Sequence, residues 1–161
     1  MLRCFVVAAI AIGALGCPAH EQVDVASPSA RTPKDVVAAA KATIEQWRQA
    51  YEIRSIEALG KLYAHDVDLV VVQEGTPYLG WPSVQAMLED RLARAETIRM
   101  RLKDVQVISL APDVASALAT MTREQTQGAT TITESGTLTL VLRHQDGAWL
   151  ITSEHYSYKR T

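Results

Sequence analysis

Aromatic residues, cysteine and excess charge of either sign are all scarce in this sequence. Aromatic side chains make up 6% of the 161 residues, with one Phe, three Trp and five Tyr. The formal net charge of −2 excludes a basic surface of the kind that holds nucleic acid or an anionic membrane. The sequence contains no glycine-rich phosphate loop, no Ser–His–Asp spacing and no set of metal ligands at the usual spacing. We therefore predict no cofactor, no metal and no nucleic-acid partner.

What remains is an ordinary globular composition. Hydrophobic residues make up 48% of the chain and charged residues 21%. A chain of this length is long enough to bury one core of useful size but not two. We expect a single folded domain over residues 33–161.

The first 17 residues are predicted to be a signal peptide. Arg3 supplies a positive charge, and the apolar run that follows is too short to span a bilayer. Leu15-Gly16-Cys17 resembles a bacterial lipoprotein cleavage site, although cleavage after Ala19 is the alternative. Removal of Cys4 leaves Cys17 as the only thiol, which suits a lipid anchor. We expect an exported lipoprotein facing the periplasm or the cell exterior, or otherwise a secreted protein.

Residues 18–32 are predicted to be a flexible tether, and helices follow it. Thr32-Pro33 is a helix start, with a hydroxyl N-cap and a proline at the first helical position. Ser55 caps a second, shorter helix that reaches Tyr63, and a third helix runs roughly from Pro82 to Ala95.

Strands dominate the second half of the sequence. The β-branched run Asp66–Val72 predicts one strand, and Gly75-Thr76-Pro77 ends it. From Ile98 onward the apolar period changes from 3.6 to 2. This pattern predicts four more strands, at about 98–109, 113–125, 131–143 and 148–158. The order predicts an α+β fold, with three N-terminal helices packed on a curved antiparallel sheet.

This order of elements resembles the SnoaL-like members of the nuclear transport factor 2-like superfamily. LYAHDVDLVVV after two helices and RHQDGAWLITSEHYS at the end carry the resemblance, which covers about residues 33–158. It implies a cone-shaped domain in which the sheet and helices enclose a pocket, and a homodimer formed through the outer sheet face. Members include ketosteroid isomerases, cyclases, dehydratases and non-catalytic modules, so the fold does not settle the activity.

Ketosteroid isomerase activity is not expected. Trp47 stands where those enzymes have a tyrosine, and Val71 stands where they have the aspartate base. Their protonated acid falls near Thr139. Valine cannot move a proton, and an indole lacks the acidity of a phenol.

The last strand combines Ser153, Glu154, His155 and Tyr156, but alternation sends neighbours to opposite faces. The resemblance implies that Thr152, Glu154 and Tyr156 face the cavity. Trp149, Ile151 and His155 then lie on the outer face, where His155 is expected to serve an interface.

Arg123 is the other charge predicted to face the cavity. We expect it to pair with Glu154, to receive an anionic group of a ligand, or to reach solvent at the open end of the cone. The predicted pocket residues are Trp47, Tyr51, Tyr63, Met87, Met121, Arg123, Thr139, Thr152, Glu154 and Tyr156.

The resulting prediction is a domain that binds a small, partly apolar ligand in its cone. One alternative is an acid–base enzyme of isomerase, cyclase, dehydratase or hydrolase type that uses Glu154, helped by Tyr156. The other is a dimeric interaction module whose pocket is vestigial.

Overall fold

A computed structural model describes residues 31–161. The predicted signal peptide, the lipidation site at Cys17 and nearly all of the predicted tether lie outside the described residues. Within residues 31–161, no helix is both long enough and apolar enough to cross a membrane.

The three predicted helices are present, and two of them start at the predicted caps. Helix α1 spans Pro33–Glu52, and Thr32 forms a capping box with Asp35 at its start. Helix α2 spans Ile56–Gly60, capped by the Ser55 hydroxyl, and ends before Tyr63. Helix α3 spans Gly80–Arg94.

Six strands form one curved, mixed sheet in the order β2-β1-β6-β5-β4-β3. Their bounds are Val70–Gln73 for β1, Thr76–Leu79 for β2, Thr97–Ala111 for β3, Val114–Gln127 for β4, Thr130–Gln145 for β5 and Ala148–Arg160 for β6. The predicted α+β architecture is confirmed, with one change of detail. Strand β1 pairs in parallel with β6, so the sheet is not purely antiparallel.

Strand β2 occupies the segment where the sequence predicted only a break. Glu74 and Gly75 take positive φ angles of 52° and 76° and turn the chain back into a hairpin. Pro77 is tolerated because β2 is an edge strand of the sheet.

A bulge in β6 changes which side chains point into the core. Val141 pairs with Ser153, but the next residue, Leu142, pairs with Ile151, so Thr152 is the extra residue. Ile151 and Glu154 are consequently both buried, at 0% and 1% exposure. The prediction that Ile151 lies on the outer face is therefore wrong.

The core lies between the helices and the inner face of the sheet. Its largest fully buried side chains include Trp47, Tyr51, Tyr63, Met121 and Tyr156. Burial of such large side chains supplies most of the driving force for folding.

Candidate functional site

The inner face of the sheet carries polar side chains inside this otherwise apolar core. Glu154 on β6, Arg123 on β4 and Glu134 on β5 are 2% exposed or less. Gln73 on β1 and Gln125 on β4 are also buried. Buried charges are costly unless paired, so the partners of these groups determine what the site can do.

Arg123 forms a buried ion pair with Glu134, which lies directly opposite it on β5. Its Nε and Nη2 atoms donate to Glu134 Oε2 at 2.8 and 2.5 Å, and Arg160 donates to the other oxygen at 3.0 Å. Burial raises the pKa of Glu134, but the charge of Arg123 and the hydrogen bonds from both arginines outweigh it and keep the pKa below its usual value. The predicted pairing of Arg123 with Glu154 is wrong, as is the alternative that Arg123 reaches solvent.

Glu154 ends a chain of hydrogen bonds that begins at Trp47. Trp47 Nε1 donates to Tyr63 Oη at 2.7 Å, and Tyr63 Oη donates to Glu154 Oε2. From the other side, Gln73 Nε2 donates to Glu154 Oε1 at 3.3 Å. Burial raises the pKa of Glu154, and the Tyr63 hydrogen bond and nearby arginines only partly oppose that rise. The carboxyl group therefore holds a proton at higher pH than an exposed glutamate does.

Three buried side-chain atoms have no hydrogen-bond partner within the described part of the chain. They are Tyr51 Oη on α1, Gln73 Oε1 on β1 and Arg91 Nη1 on α3. Burial raises the pKa of Tyr51 to about 12 and also raises the pKa of Glu154, and the charge of Arg91 opposes both rises. An unpaired buried polar atom costs about 1–3 kcal/mol, so this arrangement favours a partner from outside the chain.

Two adjoining clefts open at this end of the molecule. The first, of about 350 Å³, is lined by residues of β1, β2 and α3, among them Gln73 and Met87. The second, of about 370 Å³, is lined by the ends of β4, β5 and β6, among them Gln125. Residues that line both are Glu74, Arg91 and Arg94. We call the two together the mouth cleft.

Most of the predicted pocket residues lie together, but in the packed core. Those that are fully buried are Trp47, Tyr51, Tyr63, Met121, Arg123, Glu154 and Tyr156. They are not among the residues that line the mouth cleft, whereas Met87 is. Gln73 touches both regions, because it lines the cleft and donates to Glu154.

Two predicted pocket residues lie elsewhere. Thr139 pairs with His155 across the strands and shares the outer face with it, while its neighbours Leu138 and Leu140 point inward. Thr152 is the bulge residue, and its hydroxyl donates to the carbonyl of Val141 at 3.3 Å. The prediction that Thr139 faces the cavity is wrong by one residue of register.

Metal ligands do not cluster in the structure. Across residues 31–161, no group of three or more His, Cys, Asp or Glu side chains is placed to hold a metal ion.

A model of the SnoaL-like domain matches residues 40–160 of the chain, which is most of its length. The chain belongs to the SnoaL-like domain family. Among curated proteins, none is similar enough in sequence to count as a match.

Solved structures that resemble this SnoaL-like domain carry several functions. A nuclear transport factor 2-like protein from Streptomyces avermitilis, described as a candidate dehydratase, superposes with a TM-score of 0.72 at 22% identity, covering 80% of this chain and 99% of its own. A nuclear transport factor 2-like protein of unknown function from Pseudomonas putida superposes with a TM-score of 0.65 at 22% identity, covering 77% of this chain and 87% of its own. A type 2 hexachlorocyclohexane dehydrochlorinase superposes with a TM-score of 0.68 at 13% identity, covering 77% and 86%. These likenesses establish the fold of the SnoaL-like domain.

Three polar residues of the site in this SnoaL-like domain were not predicted, although the sequence pattern around each one indicates that it is buried. Arg91 falls on the buried stripe of α3 that Val84 and Leu88 define, where a charge is unexpected. Gln73 continues the buried alternation of β1, two residues beyond Val71. Glu134 could have been found by folding the hairpin at Gly128 in register, which sets it opposite Arg123.

Proposed function

We propose that this SnoaL-like domain binds a small, partly apolar molecule in the mouth cleft. The observation that carries the proposal is that two polar atoms of cleft-lining residues, Gln73 Oε1 and Arg91 Nη1, have no partner among the described residues. They come from two separate elements and supply one acceptor and one donor. The cleft volumes of about 350 and 370 Å³ suit a small organic molecule. Met87 and Tyr78 supply apolar contact area next to the polar groups.

Thermal unfolding of the protein expressed from its full-length sequence tests this function. A panel of small neutral, cationic and anionic organic molecules is expected to contain compounds that raise the melting temperature, because a ligand of the native state alone stabilises it. Ala86 lines the cleft on α3 and Ala93 on the same helix does not. Ala86→Trp should abolish the shift and Ala93→Trp should keep it. A panel that stabilises neither the wild type nor the control would contradict the function.

A second candidate function is acid–base catalysis by Glu154. It is favoured by the buried carboxyl group with its raised pKa, hydrogen-bonded to Tyr63 and separated from the cleft by Gln73. The names of two similar structures, a candidate dehydratase and a dehydrochlorinase, denote eliminations, which need a base. Incubating a cleft ligand with wild type and with Glu154→Gln separates the two functions. Conversion by the wild type alone supports catalysis, and recovery of unchanged ligand supports binding.

A third candidate function is that of a dimeric module with a vestigial pocket. The packed interior supports it, as do the exposed apolar side chains of the outer sheet face. Ile108, Leu110 and Leu118 are 61%, 61% and 46% exposed there. A homodimer through this face is part of the proposal, and it is compatible with ligand binding at the opposite side of the sheet.

Export and lipidation at Cys17 are proposed from the sequence alone. A radiolabelled fatty acid is expected to be incorporated into the protein and lost in Cys17→Ser. Incorporation into neither protein, with an N-terminus at His20, would instead support cleavage after Ala19.

A further inference from the structure

Arg91 occupies an unusual place for a charged residue. It lies on the stripe of α3 that buries Val84, Leu88 and Leu92, and its Nη1 atom is buried. Arg91 as a whole is half-buried, but a guanidinium nitrogen removed from water needs a hydrogen-bond acceptor, best a negatively charged one. Among residues 31–161, Arg91 forms no ion pair, and Nη1 has no acceptor.

The other arginines at this end of the molecule are all neutralised. Arg94 pairs with Asp90 at 2.5 Å, and Arg123 pairs with Glu134. Arg160 bridges Glu134 and Glu74. Their carboxylates are thus already engaged, and Arg91 is left as the surplus positive charge of the mouth cleft among the described residues.

From this arrangement we propose that the ligand of the mouth cleft is an organic carboxylate whose carboxylate group binds Arg91. The inference rests on the proposed function, that the cleft binds a small molecule. One surplus charge matches a monoanion. A dianionic phosphate is disfavoured because Glu74, Asp90 and Glu134 line the same walls.

Gln73 adds a second contact for the carboxylate. Its amide lies between Glu154 and the cleft, with Nε2 toward Glu154 and Oε1 unpaired among the described residues. A half-turn of the amide exchanges the two ends. Oε1 then accepts a hydrogen bond from protonated Glu154, and Nε2 donates to a carboxylate in the cleft. The bound anion and the proton on Glu154 therefore favour each other.

This coupling makes carboxylate binding depend on pH. When Glu154 is ionised it competes with the ligand for the field of Arg91, and when protonated it does not. Burial raises the pKa of Glu154, and Tyr63 and the two arginines Arg123 and Arg91 act against that rise. The titratable and charged groups around this end of the core are Tyr51, Tyr63, Glu74, Asp90, Arg91, Arg94, Arg123, Glu134, Tyr156, Tyr158 and Arg160. Carboxylate affinity should rise over the pH range above 4.5, as pH falls through the raised pKa of Glu154.

Four ligands that share a phenyl ring and differ in the charge of its substituent test the inference by calorimetry and thermal unfolding: benzoate, benzamide, benzamidine and phenyl phosphate. Benzoate should bind most tightly. Arg91→Met should weaken benzoate by about tenfold or more and leave benzamide unchanged, since a charge-assisted hydrogen bond is lost. Arg143→Met is the control, because Arg143 is exposed and does not line the cleft. Glu154→Gln should bind benzoate with no dependence on pH over this range.

Each alternative result has a distinct meaning. Equal affinity of wild type and Arg91→Met for benzoate would overturn the carboxylate assignment, as would tighter binding of benzamide, benzamidine or phenyl phosphate. In those cases the proposed small-molecule function still stands. If none of the four binds but a neutral compound of the wider panel does, the carboxylate assignment alone fails. If no compound of either set binds, both fail.

Discussion

At the scale of single residues, the buried carboxyl groups of Glu134 and Glu154 have pKa values shifted in opposite directions, although the charges of Arg123 and Arg91 act on both. Glu134 receives three hydrogen bonds from Arg123 and Arg160, and these keep its pKa low against the effect of burial. Glu154 receives its hydrogen bonds from neutral groups, Tyr63 and Gln73, and burial dominates its pKa. Glu134 therefore stays ionised to lower pH than an exposed glutamate, while Glu154 keeps its proton to higher pH.

The raised pKa of Glu154 predicts a pH-dependent effect of Glu154→Gln on stability. Above the ordinary value of 4.5, the unfolded chain releases this proton before the native state does, so native wild type loses stability as pH rises toward the folded pKa. The glutamine variant lacks this loss. Its free energy of unfolding, measured with urea, should gain on that of the wild type as pH increases from 4.5. Glu57→Gln should show no such gain above pH 4.5, because a hydrogen bond from Lys61 lowers the pKa of Glu57 and its contribution is lost only as pH falls below 4.5. A difference for Glu154→Gln that stays flat with pH would refute the role of burial.

Removal of Arg123 should be far more costly than removal of an exposed arginine. Arg123→Met leaves Glu134 buried and half-paired, and breaking such a pair costs about 3–5 kcal/mol. Arg94→Met breaks an exposed pair with Asp90 and should cost less than about 1 kcal/mol. Urea denaturation at pH 7 measures both. The double variant Arg123→Met/Glu134→Leu should recover much of the loss, and equal costs for the two single variants would contradict the ranking.

At the scale of elements, the sequence predicted what local chemistry determines. The cap at Thr32 and the cap at Ser55 were found because a hydroxyl before an apolar helix satisfies free N–H groups. The long strands β3 to β6 were found because their alternation is regular. Strand β2 was missed because proline usually interrupts a strand. Pro77 is tolerated here because β2 lies at the edge of the sheet.

Which residues face the site could not be read from alternation alone. The bulge at Thr152 adds one residue to β6, which turns Ile151 inward while Glu154 remains inward. No residue type marks such an insertion, because it is fixed by how β6 fits the curved sheet. An error of one residue in the register of β5 likewise led to the prediction that Thr139 faces the cavity, where Leu138 and Leu140 point inward instead. The register of β4 and β5 was needed to show that Arg123 pairs with Glu134 and not with Glu154.

Gly136 is a point where two strands of the curved sheet approach too closely for a side chain. A Cβ atom there would lie 1.9 Å from the carbonyl oxygen of Ser157 and 2.5 Å from the Cα of Tyr158. Because both are backbone atoms, Gly136→Ala should destabilise the protein by about 3 kcal/mol or more, or prevent folding. Gly60→Ala is the control, because its Cβ would meet only the side chain of Trp81, at 3.1 Å. Thermal unfolding compares the two, and equal melting temperatures would contradict the close approach.

At the scale of the whole molecule, the two faces of the sheet differ in chemistry. The inner face holds the core and the polar groups beneath the mouth cleft. The outer face carries Leu118, Thr139 and His155 in one cross-strand row, with Ile108 and Leu110 at its edge. Exposed apolar side chains grouped on one face of a sheet favour association with a second copy.

Leu118→Glu should convert a dimer into a monomer. In a symmetric interface one substitution introduces two like charges close to each other, which should weaken association by at least about tenfold. Val67→Glu is the matched control, because Val67 is 87% exposed and lies in the segment before β1, outside the sheet. Sedimentation equilibrium gives the mass of all three proteins. A wild type that sediments as a monomer would rule out the dimer, and a Leu118→Glu protein that remains dimeric would move the interface to another surface. The benzoate affinity of the monomer should match that of the dimer, since the mouth cleft and the outer face lie on opposite sides of the sheet.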